Sequence, residues 1–386
     1  MRGVSSIPRQ AATAINDMLE NCAEVKPGQE VLIVSDVGGL HGGDNAVDEL
    51  AVEWIESCVN LHGAHASVLW IDEPAKPHAW RVPPVLKGAM SGCDLLINNS
   101  FDLTTEDMIE WRDFIDESKV MTVKNMATTA PLLCSTWART PYELLAEIRY
   151  RSSLAVTPGA VMRMTSKNGT DLSGTILPSP HPVFPTYSMR RKDFGYFRPW
   201  PEWVHPPVAL EGTRGEFVFE SMLSWWSRYA RIPASYFKEP IRLTIDDNRI
   251  TKIDGGSEAD ALKRFLEEMR RRLGDGVYNF DTFHFGIHPQ AAVPEHQCPN
   301  PLIRRMIEHA HTSNLHMHVG APRWTDAYPY WLHCTADTRA VTLHIGDAMV
   351  YNEGHLAVLD DPVIMDMAAK YEAEGLPGLS PVPLSY

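Results

Sequence analysis

Sixteen histidines occur in 386 residues, and more than half of them fall between His284 and His344. Strand alternation over Asp281–His288 puts Thr282, His284 and His288 on one face, because every second side chain shares a side of a sheet. The same alternation over Asn314–Gly320 pairs His316 with His318, and His333 lies inside the apolar stretch Trp331–Thr335. Imidazole is the commonest transition-metal side-chain ligand. A catalytic Zn2+ or Fe2+ site needs three protein donors and an open position. Any one of these histidines reads more readily as a hydrogen-bonded core residue than as a ligand, whereas three His-bearing segments so close together leave a metal set and a structural role equally open. His309 and His311 follow the basic helix Ile303–Ile307 and are expected at its end or on the surface. His344, in the hairpin-like Val341–Asp347, fits either setting, and His62 and His65 flank a turn and receive no role.

Two other patterns bear on chemistry. Val37-Gly38-Gly39-Leu40-His41-Gly42-Gly43 stands between a strand and a helix, where a phosphate loop would sit. It matches neither GxGxxG nor GxxxxGK[ST] and has no lysine, so it reads as a connector and nucleotide binding is not supported. The six cysteines lie far apart with no CxxC pair, which disfavours a zinc site built from four cysteines and suits reduced thiols in a cytoplasmic protein.

The elements that must position these groups change character near residue 160. Up to that point strands and helices alternate: strands at Glu30–Ser35, Ala66–Ile71, Asp94–Asn98 and Val120–Val123, and helices at Asp44–Asn60 (capped by Asp44), Thr105–Phe114 and Pro141–Ser152. That order predicts a mostly parallel, doubly wound α/β sheet over residues 1–158. Residues 159–386 read as an α+β domain with antiparallel strands. Ala160–Thr165, Glu216–Glu220 and the hairpin Ile241–Ile245/Arg249–Asp254 are its strands, and Glu258–Arg272, capped by Ser257, is its clearest helix. The Pro- and aromatic-rich residues 178–207 are expected to be loop.

Composition bounds the function. At 44% hydrophobic and 22% charged the chain is globular, and its net charge of −14 disfavours nucleic acid and anionic membrane as partners. No stretch is long and apolar enough to span a bilayer and no secretory leader is visible, so a cytoplasmic protein acting on small molecules is expected.

The order of short motifs resembles the M29 (thermophilic) aminopeptidase-like superfamily. The motifs are Lys167–Leu172 (KNGTDL), Trp200–Pro207, Arg214–Phe219, Thr251–Gly256 (TKIDGG), Phe283–Pro289 (FHFGIHP), His316–Gly320 (HMHVG) and His333–Thr335. The superfamily includes 2,5-dihydroxypyridine 5,6-dioxygenase, a mononuclear iron ring-cleaving enzyme, whose Arg-containing strand resembles Thr338–Val341. The resemblance implies metal ligands at Glu202 (with Glu211 as competitor), His316 and His333, and implies a homodimer. Two acidic ligands of the two-metal peptidases fall on Thr282 and Thr335, which argues against a paired-metal site. His318, His284 and Asp281 are candidate acid/base or replacement groups. Trp200, Trp203 and Arg198, among the aromatic and basic residues approaching Glu202, suit stacking on a ring and pairing with its phenolate; a packed loop or an oligomer contact is the alternative.

These residues imply one divalent metal per chain. Fe(II) is favoured for an oxygenase that opens a small hydroxylated aromatic or N-heterocyclic ring. Zn(II) would serve a hydrolase of amides or cyclic amides on the same scaffold, and a non-catalytic binding protein with a decayed site is the third reading.

Overall fold

A computed structural model describes residues 6–37, 47–72, 82, 84–99, 117–178, 197–201, 204–223, 236–320, 332 and 334–384. The first strands are β1 (Glu30–Val37), β2 (His65–Asp72), β3 (Leu95–Asn99) and β4 (Met121–Asn125). Strands β5 (Val161–Ser166) and β6 (Asp171–Ile176) follow, and then β7 (Phe197–Trp200), inside the segment expected to be loop. β1 to β4 and β7 form one parallel five-stranded sheet in the order β2-β1-β3-β4-β7. Both its faces are covered, so β1 is apolar at every position from Val31 to Val34. Val31 and Ile33 enter one core while Leu32 and Val34 enter another. Helix Glu49–Leu61 packs on the first of these faces. Its cap is Asp48 rather than Asp44, which lies outside the described residues. The Asp48 carboxylate accepts from Ala51 N at 2.6 Å and also from Ala130 N at 2.7 Å, tying the helix start to the chain beyond β4. The expected helix Thr105–Phe114 falls outside the described residues.

The remaining strands are β8 (Val208–Phe219), β9 (Ser221–Leu223), β10 (Ile241–Asp246), β11 (Arg249–Asp254), β12 (Thr282–Phe285), β13 (Asn314–Val319), β14 (Cys334–Arg339), β15 (Val341–Ile345), β16 (Ala348–Asn352) and β17 (His355–Leu356). With β5 and β6 they make a twelve-stranded antiparallel sheet, along which β8, β12, β13, β14 and β9 lie side by side. The β10–β11 hairpin forms as its sequence predicts. Helix Ser257–Leu273 follows it, but its N-cap is Gly256, and the Ser257 hydroxyl bonds to the neighbouring Glu258 instead of capping. No helix among the described residues is long and apolar enough to cross a membrane.

Helix Pro301–His309 joins the two sheets. Pro301 stands at its first position, and Asn300 accepts from Leu302 N and Ile303 N, so start and direction are set locally. Leu302, Ile303, Met306 and Ile307 enter the core shared with β1, β3 and β4. Arg305, Glu308 and His309 are also buried, among polar groups on β9 and β14.

Gly286, just beyond β12, donates its N–H to Asn314 O at 2.9 Å. A Cβ at this position would run into the His311 carbonyl and the Ala310 backbone. Gly286→Ala is therefore expected to cost about 1–3 kcal/mol through backbone displacement, read as a lowered urea midpoint; an unchanged midpoint would refute the close approach.

Candidate metal centre

Register places the histidines. In the β12–β13 pair His284 stands opposite His316, and in the β13–β14 pair His316 stands opposite Asp337 and His318 opposite Thr335. With a side-chain period of two, His284, His316, His318, Thr335 and Asp337 share one face of the sheet. The rings of His284 and His316 lie 4.9 Å apart, those of His284 and His318 4.6 Å, and those of His316 and His318 5.7 Å, all close to parallel. One nitrogen from each falls within 4.8 Å of the others. The three residues are 5%, 2% and 3% exposed, so the cluster is shielded from bulk water.

His284 Nδ1 lies 2.8 Å from the carbonyl oxygen of His205. Donation to that carbonyl fixes the ring and leaves the lone pair on Nε2, which is how metal-binding imidazoles are held by their surroundings. His205 is held at this point by Val204, which is bridged to Gly286, and by its own N–H, which donates to Phe285 O at 2.9 Å. Its own ring stacks on Phe285 at 4.4 Å and its Nδ1 lies 2.8 Å from Pro206 O. Burial holds the His205 pKa down at about 3, so it is a neutral imidazole.

A second group of ligand-type atoms adjoins the first and shares His316. The His309 ring stacks on that of His316 at 3.6 Å, and its Nδ1 lies 3.0 Å from Asp337 Oδ1. Asp337 Oδ2 lies 3.3 Å from Arg305 Nη2 and 3.5 Å from Ser221 Oγ. A cation placed beside this carboxylate would therefore face the Arg305 guanidinium, which Asp337 shares with Glu308. Three clustered imidazoles carry no such conflict. Their number and type fit a first-row divalent ion with positions left open.

The residues singled out from sequence divide. His284, His316 and His318 come together, whereas Glu202, Trp203 and His333 lie outside the described residues. Asp281 is outside the cluster and accepts from the Thr282 hydroxyl at 3.0 Å. Glu211 is exposed on β8. Arg198 is turned the other way: buried on β7, it donates to Cys22 O and lies 3.5 Å from Glu24. Trp200 is fully buried in the parallel-sheet core with its Nε1 3.4 Å from Asp17. Both of these side chains serve packing there.

His288 does not join His284. β12 ends at Phe285, and the His288 ring reaches Trp137 O at 3.1 Å and accepts from Gln290 N at 3.1 Å. His309 does end a helix, but it is buried rather than on the surface. His309 and Asp337 are the site residues that the sequence reading did not single out. Strand alternation two residues past Thr335, and the spacing of His309 from Leu302 and Arg305 on their helix, were the available signals.

The NicX family model, described as 2,5-dihydroxypyridine 5,6-dioxygenase, matches residues 10–356. Among solved structures, the 2,5-dihydroxypyridine dioxygenase from Pseudomonas putida KT2440 is similar at TM-score 0.62 and 14% identity, covering 91% of this chain and 98% of that one. Wild-type AmpT from Thermus thermophilus is similar at TM-score 0.52 and 10% identity, covering 91% and 100%. No curated protein matches. At these identities the structures share the fold.

The buried histidines outside the cluster leave a mark on stability. Burial lowers the His288 pKa to about 3, against about 6.5 in an unfolded chain. The folded state thus binds fewer protons, and the stabilisation, complete above pH 6.5, is lost as pH falls through that window. His288 alone is expected to remove roughly 2 kcal/mol by pH 5. Urea midpoints of wild type and His288→Gln from pH 7.5 to 5 should converge as pH falls; parallel curves would refute this.

Proposed function

This chain belongs to the 2,5-dihydroxypyridine 5,6-dioxygenase family, and from that membership we propose that it is a metal-dependent oxygenase opening a small hydroxylated aromatic or N-heterocyclic ring. The observation that carries the reading is the buried trio His284, His316 and His318 on two neighbouring strands. These three residues would hold one divalent ion, with Fe(II) favoured. When bound, such an ion supplies open coordination positions for substrate oxygen and O2 and the Lewis acidity to polarise them.

The chain's own residues do the rest. The His205 carbonyl holds His284 in one tautomer, and burial of all three rings keeps bulk water from competing with substrate. Because imidazole binds a metal as a neutral donor, these three histidines bring no charge of their own to a dication, which favours a substrate that arrives as an anion, such as a deprotonated hydroxyl. The homodimer rests on the family resemblance alone.

A hydrolase is the second reading, favoured by one feature: three histidines are also the donor set of a catalytic zinc. The two chemistries separate on oxygen. Protein purified without a histidine tag is expected to carry about one iron per chain, to lose it in His284→Ala, His316→Ala and His318→Ala, and to consume O2 with a dihydroxypyridine or aminophenol. Turnover under strict anaerobiosis would select the hydrolase instead. Metal retained in all three variants would overturn the site.

A further inference from the structure

We propose that His309 and Asp337 are positioning residues for the metal centre: clamped by Arg305, they fix the plane of the His316 ring. The inference rests on the reading of His284, His316 and His318 as the metal ligands. Neither His309 nor Asp337 touches metal or substrate in this account; they act through His316.

The chain of contacts starts from a buried side chain held at several points. Arg305 is buried, and its Nη2 donates to Ser221 Oγ at 2.7 Å and to Asp337 Oδ2 at 3.3 Å. Its Nη1 donates to Glu308 and to the Tyr236 hydroxyl. The Tyr236 ring lies 4.4 Å from the Arg305 guanidinium and 4.2 Å from that of Arg339, which itself bonds to Glu220 at 3.4 Å. With one oxygen of Asp337 held in this way, the other faces His309 Nδ1 at 3.0 Å. His309 then stacks on His316 at 3.6 Å and 28°.

A histidine ligand on a strand is otherwise free to rotate about two bonds. Here the stacked neighbour removes that freedom on the side of β14, while His284 and His318 crowd it from the rest of the cluster. Such supports are worth preorganisation. Losing one costs about 10–100-fold in metal affinity.

The test is Co(II) binding to the whole, metal-free protein, read by affinity and by the d–d absorption of the bound ion. Asp337→Asn and His309→Ala are expected to weaken Co(II) by about 10–100-fold and to alter its spectrum. His309→Phe, which keeps a ring against His316, should recover much of the affinity lost in His309→Ala. Because Asp337 acts through His309, Asp337→Asn should have little further effect in the His309→Phe background. That comparison stands even where the alanine variant fails to fold. Unchanged affinity and spectrum in folded His309→Ala would overturn the proposal, as would an equally large loss from Asp337→Asn in both backgrounds, which would make Asp337 a ligand. Failure of wild type to bind Co(II) would sink the metal reading itself, a result distinct from either.

Discussion

The register between β12, β13 and β14 is the constraint on which the site depends. A slip of one residue would turn His284, His316 and His318 to the opposite face and bring Phe283, Phe285, Leu315 and Met317 out of the core they fill. The same alternation thus gives one face of the strands to a hydrophobic core and the other to imidazoles. Stability and site share one pattern, since the alternation that buries the apolar side chains also turns the histidines to a common face, and the observed register sets His284 opposite His316.

Helix Pro301–His309 closes this arrangement from above. Its apolar residues belong to the core of the parallel sheet, and its polar residues reach β9 and β14 of the antiparallel one. Packing energy from one sheet therefore holds a buried ionic network over the other. That network pairs charges which would be costly to bury alone, and it ends on the ring of His316. The hydrogen bond from His284 to the His205 carbonyl enters from the other side, on the chain leaving β7.

Much of the fold was legible because its signals are local. The β-branched run Glu30–Ser35, the hairpin at Asp246–Asn248 and the helices Pro141–Ser152 and Glu258–Arg272 follow from period and turn chemistry alone, and each forms within a residue or two of its expected bounds. β7 was not legible, since four residues amid prolines carry no strand period and become a strand only by pairing with β4. The site was half legible. Alternation found His316 and His318, and it placed His284 correctly but added His288, because nothing in FHFGIHP marks where the strand stops. For Asp337 and His309 alternation and helical spacing gave only a face, and what makes them part of the site is contact between distant segments. Arg198 and Trp200 looked like a ring-binding entrance by composition, yet the parallel sheet takes both into its own packing.

The most direct test of the account is to locate the metal. Crystals of untagged protein, measured at the iron and zinc absorption edges, should give one anomalous peak per chain enclosed by His284, His316 and His318, with His309 and Asp337 beyond bonding distance. A peak bonded to Asp337, or none between the three imidazoles, would contradict it.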